Sequence, residues 1–180
     1  MNLIELATKK LAFETILGQL FVIATVVYVL FFQKHYPAIA GFLKKYGLWL
    51  AFLTALAATA SSLFYSNIAH FPPCDLCWFQ RIFMYPLVII LGMALYKKDR
   101  KIADYGLGLA AAGFAVAVYH NLLYYNVGGL QASCAIGGVA VSCVKRYVLE
   151  FGYITIPLMS LTAFALVITF LLFLRSKSHE

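Results

Sequence analysis

Charge is what this sequence has least of. Asp, Glu, Lys and Arg make up 12% of its 180 residues, and only seven are acidic, against roughly 25% charged residues in an average soluble domain. Apolar residues reach 63% and mean hydropathy is +0.87. So apolar a chain is not disordered, and so thin a polar surface does not shield a soluble globule of this composition from water. No internal repeat or low-complexity tract is present, and the length is that of one domain. What is left is an integral membrane protein. The net charge of +7 is set aside as a sign of nucleic-acid binding, because a basic excess in a membrane chain belongs to its cytoplasmic loops and lipid headgroups.

A hydrocarbon core of about 30 Å takes about 20 apolar residues per helix. Five stretches qualify, over 15–33, 47–69, 78–96, 103–125 and 154–174. The fourth carries Gly106, Gly108 and Gly113 in an Ala-rich run, suited to close helix packing in lipid. Breaks are expected at Pro37 and Gly41, at Pro72-Pro73, over Lys97 to Lys101 and from Asn126 to Gly152. Of fourteen Lys and Arg, nine fall in loop 34–46, loop 97–102 and the C-terminal tail, and five on the opposite side. The positive-inside rule makes the first side cytoplasmic. The N-terminus and all four cysteines then face outward. The first span lacks a small-residue cleavage pattern and has Glu5 and Glu14 beside its apolar core, so it reads as a retained helix and not as a secretory signal.

Cys74-Asp75-Leu76-Cys77 follows Pro72-Pro73, and prolines stop a helix from above and suit its first turn. The pair is therefore expected at a helix N-terminus. Spacing of i, i+3 puts both sulfurs on one face, within reach of a disulfide. The positive end of the helix dipole favours a thiolate, although Asp75 opposes it. The second pair, Cys134 and Cys143, lies on a Gly-rich outer loop with eight residues between its members. Three readings stand: redox exchange, two bracing disulfides, or zinc. Structural zinc sites typically use a second short-spaced pair, which is missing here, so no metal is expected.

Arg81 lies one helical turn beyond Cys77 on the same face. It either snorkels to the headgroups or serves as the electrophilic partner of a thiolate or of an oxygen-bearing acceptor. Gln80, at i+3 from Cys77, is placed to donate another hydrogen bond. His120 lies near the outer end of the fourth span, at a depth similar to that of Arg81. It reads either as an interfacial residue or as a second donor able to pass a proton. Tyr124 and Tyr125 read as aromatic belt.

The stretch from Pro73 to Arg81, Pro-Cys-Asp-Leu-Cys-Trp-Phe-Gln-Arg, resembles the signature of the DsbB family of disulfide-generating membrane proteins, and within it the branch often called BdbC. His120, Cys134, Cys143 and the run Phe151 to Pro157 extend the likeness over roughly residues 47–180. The resemblance implies an all-α membrane protein, a four-helix transmembrane bundle over 47–180, with residues 1–46 as an additional N-terminal helix and cytoplasmic loop. It implies a thiol:quinone oxidoreductase of the bacterial cytoplasmic membrane. Cys134 and Cys143 would exchange with an extracytoplasmic, DsbA-like thioredoxin-fold partner, with Cys134 forming the mixed disulfide. Electrons would pass to Cys74 and Cys77 and on to ubiquinone or menaquinone, held by Arg81, His120 and Gln80. A partner–DsbB–quinone chain is a known way of keeping the periplasm oxidising. Two departures stand out: the family is normally four spans with both ends cytoplasmic, and the Cys134–Cys143 segment is short. An electron conduit and a disulfide-braced structural protein are the alternatives. The first lacks a cysteine in the inner loops, and the second leaves Arg81 unexplained.

Overall fold

A computed structural model describes residues 3–32, 37–99, 101–127 and 143–175. Five helices carry the chain: α1 (Leu3–Val27), α2 (Pro37–Leu63), α3 (Asp75–Lys97), α4 (Ile102–Tyr124) and α5 (Ile156–Arg175). Each is long and apolar enough to cross a membrane. α1 and α2 each run on into a π-helical turn, Tyr28–Phe32 and Phe64–Ile68. Among the described residues there is no strand, only a lone antiparallel bridge between Glu150 and Ile154. α2, α3, α4 and α5 form a closed ring in which each helix packs on the next and α5 packs back on α2, while α1 lies outside against α5. This is the expected all-helical bundle of four with one helix added.

Two helix starts differ from the sequence expectation. α1 begins at Leu3, a dozen residues before the apolar stretch, because its early charges pair along the helix: Lys9 with Glu5 at 2.8 Å and Lys10 with Glu14 at 3.9 Å. Hydropathy locates the lipid-facing stretch and not the helix end. α2 begins at Pro37, so the loop expected over 34–46 is helical from that residue on. Proline has no N–H to lose in a first turn and its φ is already helical. The break after α3 falls where expected, with Lys98 in the left-handed region (φ 52°) and the Lys98 and Asp99 amides donating to the last carbonyls of α3.

The core of the ring is apolar, with Leu87, Leu91, Phe164 and Val167 fully buried. Large apolar side chains such as Leu20, Trp49 and Ile89 are more than half exposed, as lipid-facing residues are. Without a hydrophobic drive between helices in lipid, close approach depends on small residues. Gly113 is the tightest case. A Cβ there would stand 2.3 Å from Phe164 Cε1 and 2.9 Å from Phe83 Cβ. Gly113→Ala is expected to cost about 1–3 kcal/mol through overpacking, whereas Gly108, with open space around it, should tolerate Ala and gain up to about 1 kcal/mol of helix propensity. Unfolding of the two variants in the same detergent checks the contrast.

Candidate functional site

The chain enters α3 through Phe71, Pro72 and Pro73. Both prolines precede the N-cap, whereas a place in the first turn had been expected of them. Cys74 takes the N-cap with extended backbone (φ −76°, ψ 171°), its carbonyl accepting the first helical hydrogen bond from Trp78 N–H at 3.1 Å. Asp75 is the first helical residue, where a carboxylate suits the dipole. Cys77 follows in the first turn, and its Sγ lies 2.9 Å from Cys74 Sγ, so the i, i+3 spacing does bring the sulfurs together.

His120 comes up from α4 and is 1% exposed. Its Nε2 is 3.2 Å from the Cys143 carbonyl. A carbonyl only accepts, so Nε2 carries the proton and donates it. Nδ1 is then bare and accepts from Gln80 Nε2 at 3.1 Å. Gln80 is thus turned to the imidazole and not to the space beside Cys77, where it had been expected to donate. Cys74 Sγ is 3.9 Å from the same Nε2. The Cys74 thiol is pushed up to about 12, chiefly by its hydrogen bond with Cys77 and next by burial, with the His120 contact pulling the other way.

Arg81 is turned to α2. Its Nε donates to Ser62 Oγ at 3.0 Å and an Nη to the Ser62 carbonyl at 3.1 Å, and its guanidinium stacks 5.1 Å from the Trp78 ring centre. The π-helical turn just beyond Ser62 shifts the hydrogen-bond register at the end of α2, and the arginine serves a carbonyl there. Tyr124 is buried at 6% exposure, under Arg146 at 5.9 Å, and only Tyr125 fits the belt expectation. Phe71 stacks between Tyr65 (6.0 Å) and Tyr147 (4.9 Å) and ties the end of α2 to the segment that precedes α5.

Most of these groups, though not Asp75, Trp78, Tyr125 or Arg146, border one cavity of about 330 Å³, in the range of small-molecule sites. Cys74, Cys77, Gln80, Arg81, His120 and Cys143 line it together. Of the site residues expected from the sequence only Cys134 is not placed, since it lies outside the described residues. Ser62 and the Tyr65–Phe71–Tyr147 stack were not anticipated; a serine pair inside an apolar span was the available signal for the first. The wall contributed by α1 left none. Cys74, Cys77 and His120 also hold their ligand atoms within 4.8 Å of one another. Cysteine spacing alone does not reveal such a set, because its third member arrives from another helix.

Comparison with known proteins gives a consistent picture. The family described as Disulfide bond formation protein DsbB matches residues 44–174. The chain is 41% identical over 121 residues to the Probable disulfide formation protein C 1 of Bacillus anthracis, covering 67% of this chain and 86% of that one. It is 39% identical over 133 residues to the Disulfide bond formation protein C of Bacillus subtilis (74% and 95%). It is also 39% identical over 142 residues to a Probable disulfide formation protein of Coxiella burnetii (79% and 95%). No solved structure matches the chain.

The hydrogen-bond order at Cys74 is testable by alkylation. In the fully reduced protein, iodoacetamide labelling of Cys74 should keep rising with pH past 10, since only the thiolate reacts. Cys77→Ala removes the largest upward influence and should shift that curve to lower pH. His120→Leu removes a downward one and should shift it higher. Coincident curves, read by mass spectrometry of the Cys74 peptide, would refute the assignment.

Proposed function

The chain belongs to the DsbB family of disulfide bond formation proteins, and on that footing we propose that it oxidises a thioredoxin-fold dithiol partner outside the membrane and passes the electrons to a membrane quinone. The observation that carries the reading is a vicinal sulfur pair, 2.9 Å apart, on the wall of a cavity that also holds Arg81 and is set within apolar spans. We assign the thiol oxidase chemistry to residues 47–180 and place the protein in the bacterial cytoplasmic membrane, N-terminus outside and C-terminus inside.

The donor set suits a quinone. The cavity volume accommodates a ring-sized head group, and most of its lining is apolar with a few converging polar groups. Of the five N–H donors of a guanidinium, Ser62 engages two at Arg81, and three remain for a carbonyl oxygen. Arg81 would hold the head group, and His120, whose Nε2–H is engaged by the Cys143 carbonyl, would join it by exchanging that partner, with Gln80 acting through His120 by fixing its tautomer. When bound, quinone supplies an acceptor for two electrons and two protons.

The chain's own residues handle the sulfur chemistry. A thiolate of the Cys134–Cys143 pair, once reduced by the partner, attacks the Cys74–Cys77 disulfide, and the loop pair closes again as a disulfide. Cys74 and Cys77 then stand as the dithiol. Reoxidation forms their S–S bond and releases two electrons and two protons to the acceptor. The His120 Nε2–H, its nitrogen 3.9 Å from Cys74 Sγ, favours negative charge on that sulfur whenever an exchange step leaves it there. The stacked aromatics over Tyr65 and Phe71 help to keep water from the reacting sulfurs.

Quinol formation by the purified protein with a reduced thioredoxin-fold partner tests the proposal directly. Arg81→Met should lower quinone-dependent turnover by about 10²–10³-fold, the scale of one lost electrostatic donor. Lys at that position should rescue only partly, because it lacks the planar fork. Cys134→Ser should block exchange with the partner yet leave quinone reduction by a small dithiol. Turnover unaffected by Arg81→Met would place the acceptor elsewhere, and one zinc per chain in the purified protein would favour a metal site instead.

The orientation has its own check. A maleimide that does not cross membranes should label Asn2→Cys, and not Lys98→Cys, in intact cells of a strain whose four native cysteines are replaced. The reverse pattern would overturn the assignment of sides.

A further inference from the structure

One wall of the cavity comes from outside the family match. That match covers 44–174, and α1 (Leu3–Val27) lies entirely before it. Yet Leu11, Glu14 and Thr15 of α1 line the same cavity as Arg81 and Cys77. The helix is firmly seated. Gly18 lets it close on α5, with Leu166 Cδ1 2.9 Å and Thr162 Cγ2 3.2 Å from where a Cβ would stand. Gln19 Nε2 donates to Thr162 Oγ1 at 3.3 Å, and Tyr153 OH donates to Gln19 Oε1 at 3.1 Å. The Phe21 and Phe170 rings meet at 5.4 Å. At its outer end, Ile4 and Leu11 join the apolar cluster around Tyr65 and Val148.

α1 divides its faces by size. Its buried positions are Thr8, Ala12, Thr15, Gly18 and Thr25, whereas Leu6, Phe13, Leu17 and Leu20 are each more than half exposed. Small residues inward let a helix in lipid approach its neighbours. Here they also leave room, since Thr15 is buried, with its hydroxyl donating to the Leu11 carbonyl at 2.8 Å, and still borders the cavity.

We infer that α1 is the lipid-side wall of the acceptor site, and that Leu11 and Thr15 determine which lipophilic two-electron acceptors fit. The inference rests on the quinone reading of the cavity and goes beyond it by giving the added helix a part in acceptor selection. Glu14, whose carboxylate faces Lys10 at 3.9 Å and is half-exposed, stands at the rim.

The test uses the full chain and a short-tailed azidoquinone as photolabel. In the wild type, label should appear on the peptide containing Leu11 to Thr15, and Thr15→Phe should remove it by filling the space. Thr15→Phe and Leu11→Trp should each raise the apparent KM for quinone about tenfold while kcat stays within about twofold, the pattern of lost ground-state binding. Exchange of the loop cysteines with the partner should be unchanged, and Leu17→Phe on the lipid face should match the wild type in every assay. Absence of label from α1 in a wild type that forms quinol, and whose turnover depends on Arg81, overturns this inference alone. A wild type that forms no quinol and takes no label at the cavity overturns the quinone reading beneath it.

Discussion

An imidazole sealed from water must partner both its nitrogens, and meeting that demand at His120 organises the cysteine-bearing end of the bundle. Gln80 answers from α3, and the Cys143 carbonyl answers from the segment that leads into α5. Cys74 is drawn against the same ring. One side chain therefore fixes the position of both described cysteine-bearing segments relative to α4. In lipid the constraint is stricter than in water, because an unpaired polar group finds no solvent to relieve it. Arg81 obeys the same rule, with its charge held by the Ser62 hydroxyl and carbonyl. Ser62, Gln80, Arg81 and His120 consequently gather around the cavity beside the sulfurs.

Much of this was legible in the residues themselves. Five apolar stretches announced five spanning helices, and the prolines before Cys74 announced a helix start. The spacing of Cys74 and Cys77 fixed their shared face, because i, i+3 is a local relation that helical geometry determines. Helix ends were less legible. Charged residues at the head of α1 pair with one another along the helix, so their polarity misleads a reading based on hydropathy. Pro37 looked like a break and is a beginning, because the same missing N–H ends one helix and suits the start of another.

Long-range relations were the least legible. Nothing local in Gln80 indicates that its amide turns toward a histidine forty positions away. Tyr124 and Tyr125 are neighbours of one type, yet one is buried under Arg146 and the other bonds the Tyr153 carbonyl at 2.6 Å. Tyr124 ends α4 and Tyr125 is its C-cap, so one step along the chain separates a buried ring from an exposed one. The wall from α1 depends on where a helix outside the ring docks, which no residue of that helix encodes alone. Motifs describe what a helix carries; docking decides what it is carried to.

Gly113 and His120 lie seven residues apart on α4, on one buried face with Ala117 between them. The near-contact of Gly113 with Phe164 acts as a pivot, and the two turns above it act as a lever of about 10 Å. A tilt of about 5° at the pivot would swing the imidazole by about 1 Å, enough to strain two hydrogen bonds at once. The tolerance of an apolar joint deep inside the bundle thus bears on the alignment of the imidazole and the sulfurs at its end.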